Sequence, residues 1–175
     1  MAQQHLGRQG GVKILDREEN YPFNTQGSNT LVIHCSDPRF QEAFGLFLKE
    51  GLGLTSGSYD PLVIPGASQM LAFADLLPKF ASGLSRPLEF LVKGHGLKKV
   101  VVIMHEDCAW YRDFVPKFMR TRGTMKEQQF NDLLKTKNIL AEKFPHIETE
   151  MFYASVNPQD RVTFTKVKET GSARG

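Results

Sequence analysis

The stretch LKKVVVIMH, residues 97–105, carries the strongest strand signal in the chain. Its apolar run, Val100 to Met104, leaves no polar face. A strand that is apolar on both sides belongs in the middle of a covered and usually parallel sheet, whereas a half-exposed strand alternates. Lys98 and Lys99 mark where this strand enters from solvent. The run is core with a lysine cuff, far short of the roughly 20 apolar residues of a membrane helix.

Working outward, NTLVIHC (29–35) and DPLVIPGA (60–67) are further short runs rich in β-branched residues, and ETEMFYASV (148–156) is a fourth strand. RVTFTKV (161–167) alternates and predicts an edge strand. Between these lie helical patterns. FQEAFGLFLKEGLG (40–53) carries Phe40, Ala43, Phe44, Phe47 and Leu48 at helical spacing, with Gly51 and Gly53 as terminators. SQMLAFADLLPKF (68–80) and RPLEFLVKGHG (86–96) predict two helices, the first with Ser68 as its N-cap. MKEQQFNDLLKTKNILAEKF (125–144) predicts a long helix that ends before Pro145. Strands alternating with helices predict an α/β domain around a mostly parallel sheet, with right-handed crossovers. The expected organisation is an N-terminal arm over 1–30, one α/β domain over 31–168 and a loose tail over 169–175.

At 175 residues, with 41% hydrophobic and 23% charged, the chain has the make-up of one soluble globular domain. A net charge of +3 carried by scattered basic residues argues against a nucleic-acid or membrane-surface partner. The opening MAQQHLGRQGG has no apolar signal-peptide core, so the expected location is cytoplasmic. In that reducing compartment the two cysteines, Cys35 and Cys108, are core thiols, a redox pair or metal ligands rather than a structural disulfide. They lack the C-x-x-C spacing of redox pairs.

The stretch HCSDPRF (34–40) follows a strand with a thiol, a carboxylate and a guanidinium. Burying such charges is costly unless they are paired, which marks a site. MHEDCAWY (104–111) follows another strand with His105 and Cys108 two residues apart. In open parallel sheets ligands bind beyond the carboxyl ends of the strands, at the point where strand order reverses. Cys35, His105 and Cys108 together offer two sulfurs and one nitrogen, a set that suits zinc and leaves a fourth position open, as catalytic zinc requires. Asp37 shares the face of Cys35 on an extended chain, and Arg39 pairs with Asp37. Pro38 disfavours helical geometry at Asp37 and keeps the segment extended. His34 points to the opposite face as packing. His95 belongs at the far end of the sheet, and Trp110 and Tyr111 are expected in the core.

CSDPR followed much later by HEDC resembles the paired signatures of the β-class carbonic anhydrases, C-x-D-x-R and H-x-x-C, over roughly Leu31 to Val156. The resemblance implies a parallel core in strand order 2-1-3-4 plus an edge strand, flanked by helices. It implies Zn2+ held by Cys35, His105 and Cys108 in the domain, with Asp37 and Arg39 as a catalytic dyad. It implies hydration of carbon dioxide to bicarbonate by zinc-bound hydroxide, in a homodimer or higher homo-oligomer. Asp37 as a resting fourth ligand, with Arg39 released, is the variant arrangement some members show. This chain departs from the pattern where it has PGAS (65–68) in place of R-N-A-G, and Met104 and Ala109 where glycines are usual. The family's long N-terminal helical arm is shortened or absent. These departures leave two other readings open: hydrolysis of carbonyl sulfide or carbon disulfide, and a non-catalytic zinc- or bicarbonate-binding member of the same fold.

Overall fold

The computed structural model describes residues 8–9, 12–13, 21–73, 78–116 and 123–169. Most of the expected arm, and the expected tail from residue 170 on, lie outside the described residues. Within the arm, Arg8–Gln9 and Val12–Lys13 pair antiparallel as a short ladder.

The main sheet has five strands: β1 (Thr30–His34), β2 (Asp60–Val63), β3 (Lys99–His105), β4 (Glu148–Val156) and β5 (Val162–Val167). They lie in the order β2-β1-β3-β4-β5. The first four are mutually parallel and β5 runs antiparallel along β4. This is the expected 2-1-3-4 order with an added edge strand. Register places Ile33 of β1 between Leu62 of β2 and Val102 of β3.

Both faces of β3 are covered, which explains its unbroken apolar run. On one face Val100, Val102 and Met104 join Leu31, Ile33 and Cys35 against Leu71, Leu88, Val92, Leu133 and Leu140 of helices α2 (Gln69–Ala72), α3 (Pro78–Gly94) and α4 (Met125–Lys143). On the other, Val101 and Ile103 meet Phe40, Phe44 and Leu48, carried by α1 (Gln41–Leu46) and the turns before and after it. Each side chain so buried contributes about 1.5–3 kcal/mol. Phe47 stacks on Phe164 of β5 at 4.0 Å, tying the edge strand to that layer. Gly51 closes the π-helical turn Phe47–Gly51, and Gly53 takes φ +70, as the expected terminators should.

Two local expectations are corrected. Ser68 stands before α2 but does not cap it, because its backbone is already helical (φ −78, ψ −2) and its hydroxyl donates to Met104 Sδ at 3.7 Å. A capping side chain needs an extended backbone to reach the first free N–H groups. The second of the two helices also begins earlier than Arg86: α3 is continuous through Pro87. Leu88 and Val92, one helical turn apart and both buried, hold it against the sheet despite the lost backbone donor. The long helix α4 starts with a reciprocal cap. Glu127 N–H donates to Thr124 Oγ1 at 3.2 Å, and Thr124 N–H to Glu127 Oε2 at 2.6 Å.

Candidate metal centre

β1 and β3 are neighbours, so the residues leaving their carboxyl ends meet. Cys35 and Cys108, 73 residues apart in sequence, bring their sulfurs to 3.8 Å. The ligand atoms of Cys35, His105 and Cys108 all lie within 4.8 Å of one another, and all three residues are buried. His105 is fully buried; its Nδ1 stands 2.8 Å from the carbonyl of Glu106, while its Nε2 has no hydrogen-bond partner. A proton on Nδ1 donating to that carbonyl leaves Nε2 a bare lone pair beside two thiols, the tautomer a metal requires. An orphaned buried nitrogen with two sulfurs is a donor set that would suit zinc and leave a fourth position open.

The thiols share their charge. The hydrogen bond with Cys108 is the largest influence drawing Cys35 well below the ordinary thiol range, with burial opposing it. Cys108 is driven upwards by the same bond and by burial. The N–H of Gly66 supports the charge on Cys35, donating to its sulfur at 3.4 Å. One negative charge sits easily between the sulfurs; a second needs a cation.

The Asp37–Arg39 pair is present, but the chain reaches it differently from expectation. Asp37 is extended (ψ 118), as Pro38 demands, yet the segment does not stay extended through Arg39. Pro38–Phe40 forms a 3-10 turn with Asp37 as its cap, its Oδ1 accepting the Arg39 N–H at 3.0 Å. Proline's fixed φ suits the first position of such a turn. The turn swings Arg39 back over Asp37: Nε donates to Oδ1 at 3.0 Å and Nη2 to Oδ2 at 2.7 Å. Arg39 is thereby the main cause holding the Asp37 carboxyl below its ordinary range. Both Asp37 oxygens are engaged by Arg39, and Asp37 is not among the three clustered ligands.

Several supporting residues went unread in the sequence. Gln41 Nε2 donates to the carbonyls of both Cys35 (2.9 Å) and Asp37 (2.7 Å), clamping the loop between β1 and α1. Gln129 Nε2 donates to the His105 carbonyl at 2.8 Å. Tyr111 is buried as expected, its hydroxyl donating to Asp132 at 2.8 Å. Burial pushes the Asp132 carboxyl up to about 6. Trp110 is only partly buried; it stacks on Phe114 at 5.3 Å and donates its indole N–H to Gln69. His34 packs on Phe44 on the opposite face, and His95 pairs with Asp60 at the amino end of β2, both as expected.

Residues 25–164 match the family described as "Putative carbonic anhydrase". An uncharacterized protein of Rickettsia conorii is 27% identical over 126 residues, 71% of this chain and 66% of that protein, so the match spans just under two thirds of the relative's length. The β-carbonic anhydrase CafD of the filamentous fungus Aspergillus fumigatus shares the fold. Its wild-type structure superposes with a TM-score of 0.50 at 14% identity, covering 85% of this chain and 95% of CafD. A single-substitution form of CafD gives 0.51 at 15% identity, covering 86% and 95%.

Proposed function

The chain belongs to this carbonic anhydrase family, and from that premise we propose that it holds one zinc ion on Cys35, His105 and Cys108 and catalyses the reversible hydration of carbon dioxide to bicarbonate. The observation that carries the reading is the unpartnered Nε2 of His105, which converges with two thiols next to the Asp37–Arg39 pair. Zinc so bound supplies hydroxide near neutral pH, by lowering the pKa of bound water to about 7.

The protein's own groups do the positioning. Asp37, kept ionised by Arg39, accepts hydrogen bonds and donates none. A hydroxyl beside it must present its hydrogen to Asp37, which leaves an oxygen lone pair free for the substrate carbon. Arg39 holds the carboxylate in place, and Gln41 holds the loop that carries both Cys35 and Asp37. Trp110 lies over Gly66, whose N–H supports the Cys35 sulfur.

The same indole gives the rim an apolar wall where the resembled pattern has arginine and asparagine. That favours, as a second reading, a linear sulfur analogue such as carbonyl sulfide. We also propose a homo-oligomer: among the described residues β2 has no strand beyond it, Val63 on it is 43% exposed, and Phe23 is 88% exposed. Two free thiols this close stay reduced most readily in the cytoplasm. Among the described residues no helix is long and apolar enough to cross a membrane.

The test is stopped-flow hydration of carbon dioxide at mildly alkaline pH on protein holding one zinc per chain. A rate well above background, lost in Cys108→Ser, supports the reading. A zinc-loaded protein inert towards carbon dioxide but active on carbonyl sulfide moves the assignment to the second reading, and inertness towards both leaves a binding role.

A further inference from the structure

We propose that Asp107 is a positioning residue that locks the Asp37–Arg39 pair, gripping Arg39 from its free edge and so keeping the Asp37 carboxylate off the metal. This rests on the zinc reading above.

Arg39 by itself is a weak anchor. Its side chain is 54% exposed against 10% for Asp37, so beyond its two bonds to Asp37 the guanidinium stands in water, which competes for its remaining donors. Its guanidinium, however, is a rigid planar fork with five N–H donors. One edge of that fork, Nε and Nη2, serves Asp37. The other edge serves Asp107: Nη1 donates to Oδ2 at 2.9 Å, and Nη2 also donates to the Asp107 backbone carbonyl at 2.9 Å. The two carboxylates therefore share the arginine without competing for the same donors. The bidentate Asp37 pair sets the plane of the fork, and the Asp107 contact on the opposite edge holds its outer end against solvent.

Asp107 is built for this role. It lies between His105 and Cys108, so it ties the β3 loop to the β1 loop across the three ligands. Its φ of +49 is left-handed, a conformation that aspartate tolerates better than most residues. In that conformation its carbonyl and its side chain both reach Arg39. Its second oxygen is held by Arg112 Nη1 at 2.9 Å, so the carboxylate cannot turn away from Arg39 without breaking that bond.

With the Asp107 side chain removed, Arg39 loses its Nη1 partner and keeps on that side only the backbone carbonyl of residue 107. It swings into solvent, and Asp37 turns to the nearest cation. The test uses Asp107→Asn and Asp107→Gly, both of which tolerate a positive φ, in protein loaded with cobalt in place of zinc. The expected result is a changed cobalt absorption spectrum in Asp107→Gly, with a smaller change in Asp107→Asn. Adding Asp37→Asn should abolish the change, because the incoming ligand is then gone. Turnover of the zinc forms should fall tenfold or more in Asp107→Gly, with zinc content and melting temperature held. An unchanged spectrum in both variants would overturn the proposal, as would a change that persists with Asp37→Asn. Failure of the unmodified protein to bind either metal would overturn this proposal and the functional reading together. Failure of turnover alone would overturn only the latter, because the spectra still decide the role of Asp107.

Discussion

Trp110 occupies the space that a side chain at position 66 would need: a Cβ on Gly66 would stand 2.9 Å from Cγ and Nε1 of the indole. PGAS after β2 and AWY after Cys108 are thus packed against each other through Gly66 and Trp110. Gly66, at φ +72, turns the chain so that its N–H reaches Cys35, and Trp110 lies on the glycine.

Gly66→Ala should therefore lower stability by about 2–4 kcal/mol, from the left-handed backbone and the overlap together. Combining it with Trp110→Ala should recover the overlap part, giving a non-additive double-mutant cycle in denaturant unfolding. Strict additivity would show that the two residues do not touch.

Metal removal should be visible in stability. Zinc at about 1,000 times its dissociation constant adds about 4 kcal/mol to the folded state. For a chain of this size that corresponds to a melting temperature roughly 8–16 °C higher. Chelation should remove the increment from the unmodified protein and leave His105→Ala unchanged. Equal melting curves with and without chelator would count against the site.

Gln41 touches no ligand atom but fixes the loop that presents Cys35. Gln41→Ala should weaken zinc binding by about 10–100-fold, the usual effect of losing an outer-shell partner. Competition with a chromogenic chelator measures this directly, and an unaltered affinity would show that the loop holds itself.

Asp132 gives stability a distinctive pH dependence. Burial raises its folded pKa to about 6, above the unfolded value of about 3.9. The folded state then binds more protons between those values, so this group's contribution falls as pH rises from about 4 to about 6, by roughly 3 kcal/mol. Asp132→Asn should flatten that slope and raise stability at neutral pH. An identical pH–stability curve for the variant would place the titration elsewhere.

Much of this was readable in the chain. Val100 to Met104, apolar on both faces, read as a covered central strand of a usually parallel sheet, and β3 is that strand. Cys35, Asp37, Arg39, His105 and Cys108 stood out as candidates because reactive residues cluster at or beyond the carboxyl ends of two strands, and the structure brings the three ligand candidates together with the Asp37–Arg39 ion pair present. Local signals misled where tertiary contacts outweighed them. Pro87 sits inside α3 because Leu88 and Val92 are buried, and Ser68 does not cap α2 because burial turns its hydroxyl to Met104.

What the sequence determined by itself, then, was the alternation of strands and helices and the residue types at the strand ends, since both depend on periodicity and neighbours along the chain. Which side chains share a donor or a space emerged only from the folded arrangement. Arg39 is divided between Asp37 and Asp107, Trp110 lies on Gly66, and His105 Nε2 is left unpartnered. Except for Asp37, the residues in each of these relationships come from segments far apart in the chain. A hydrogen bond or an overlap is set by distances of about 3 Å between atoms, which no spacing along the sequence encodes.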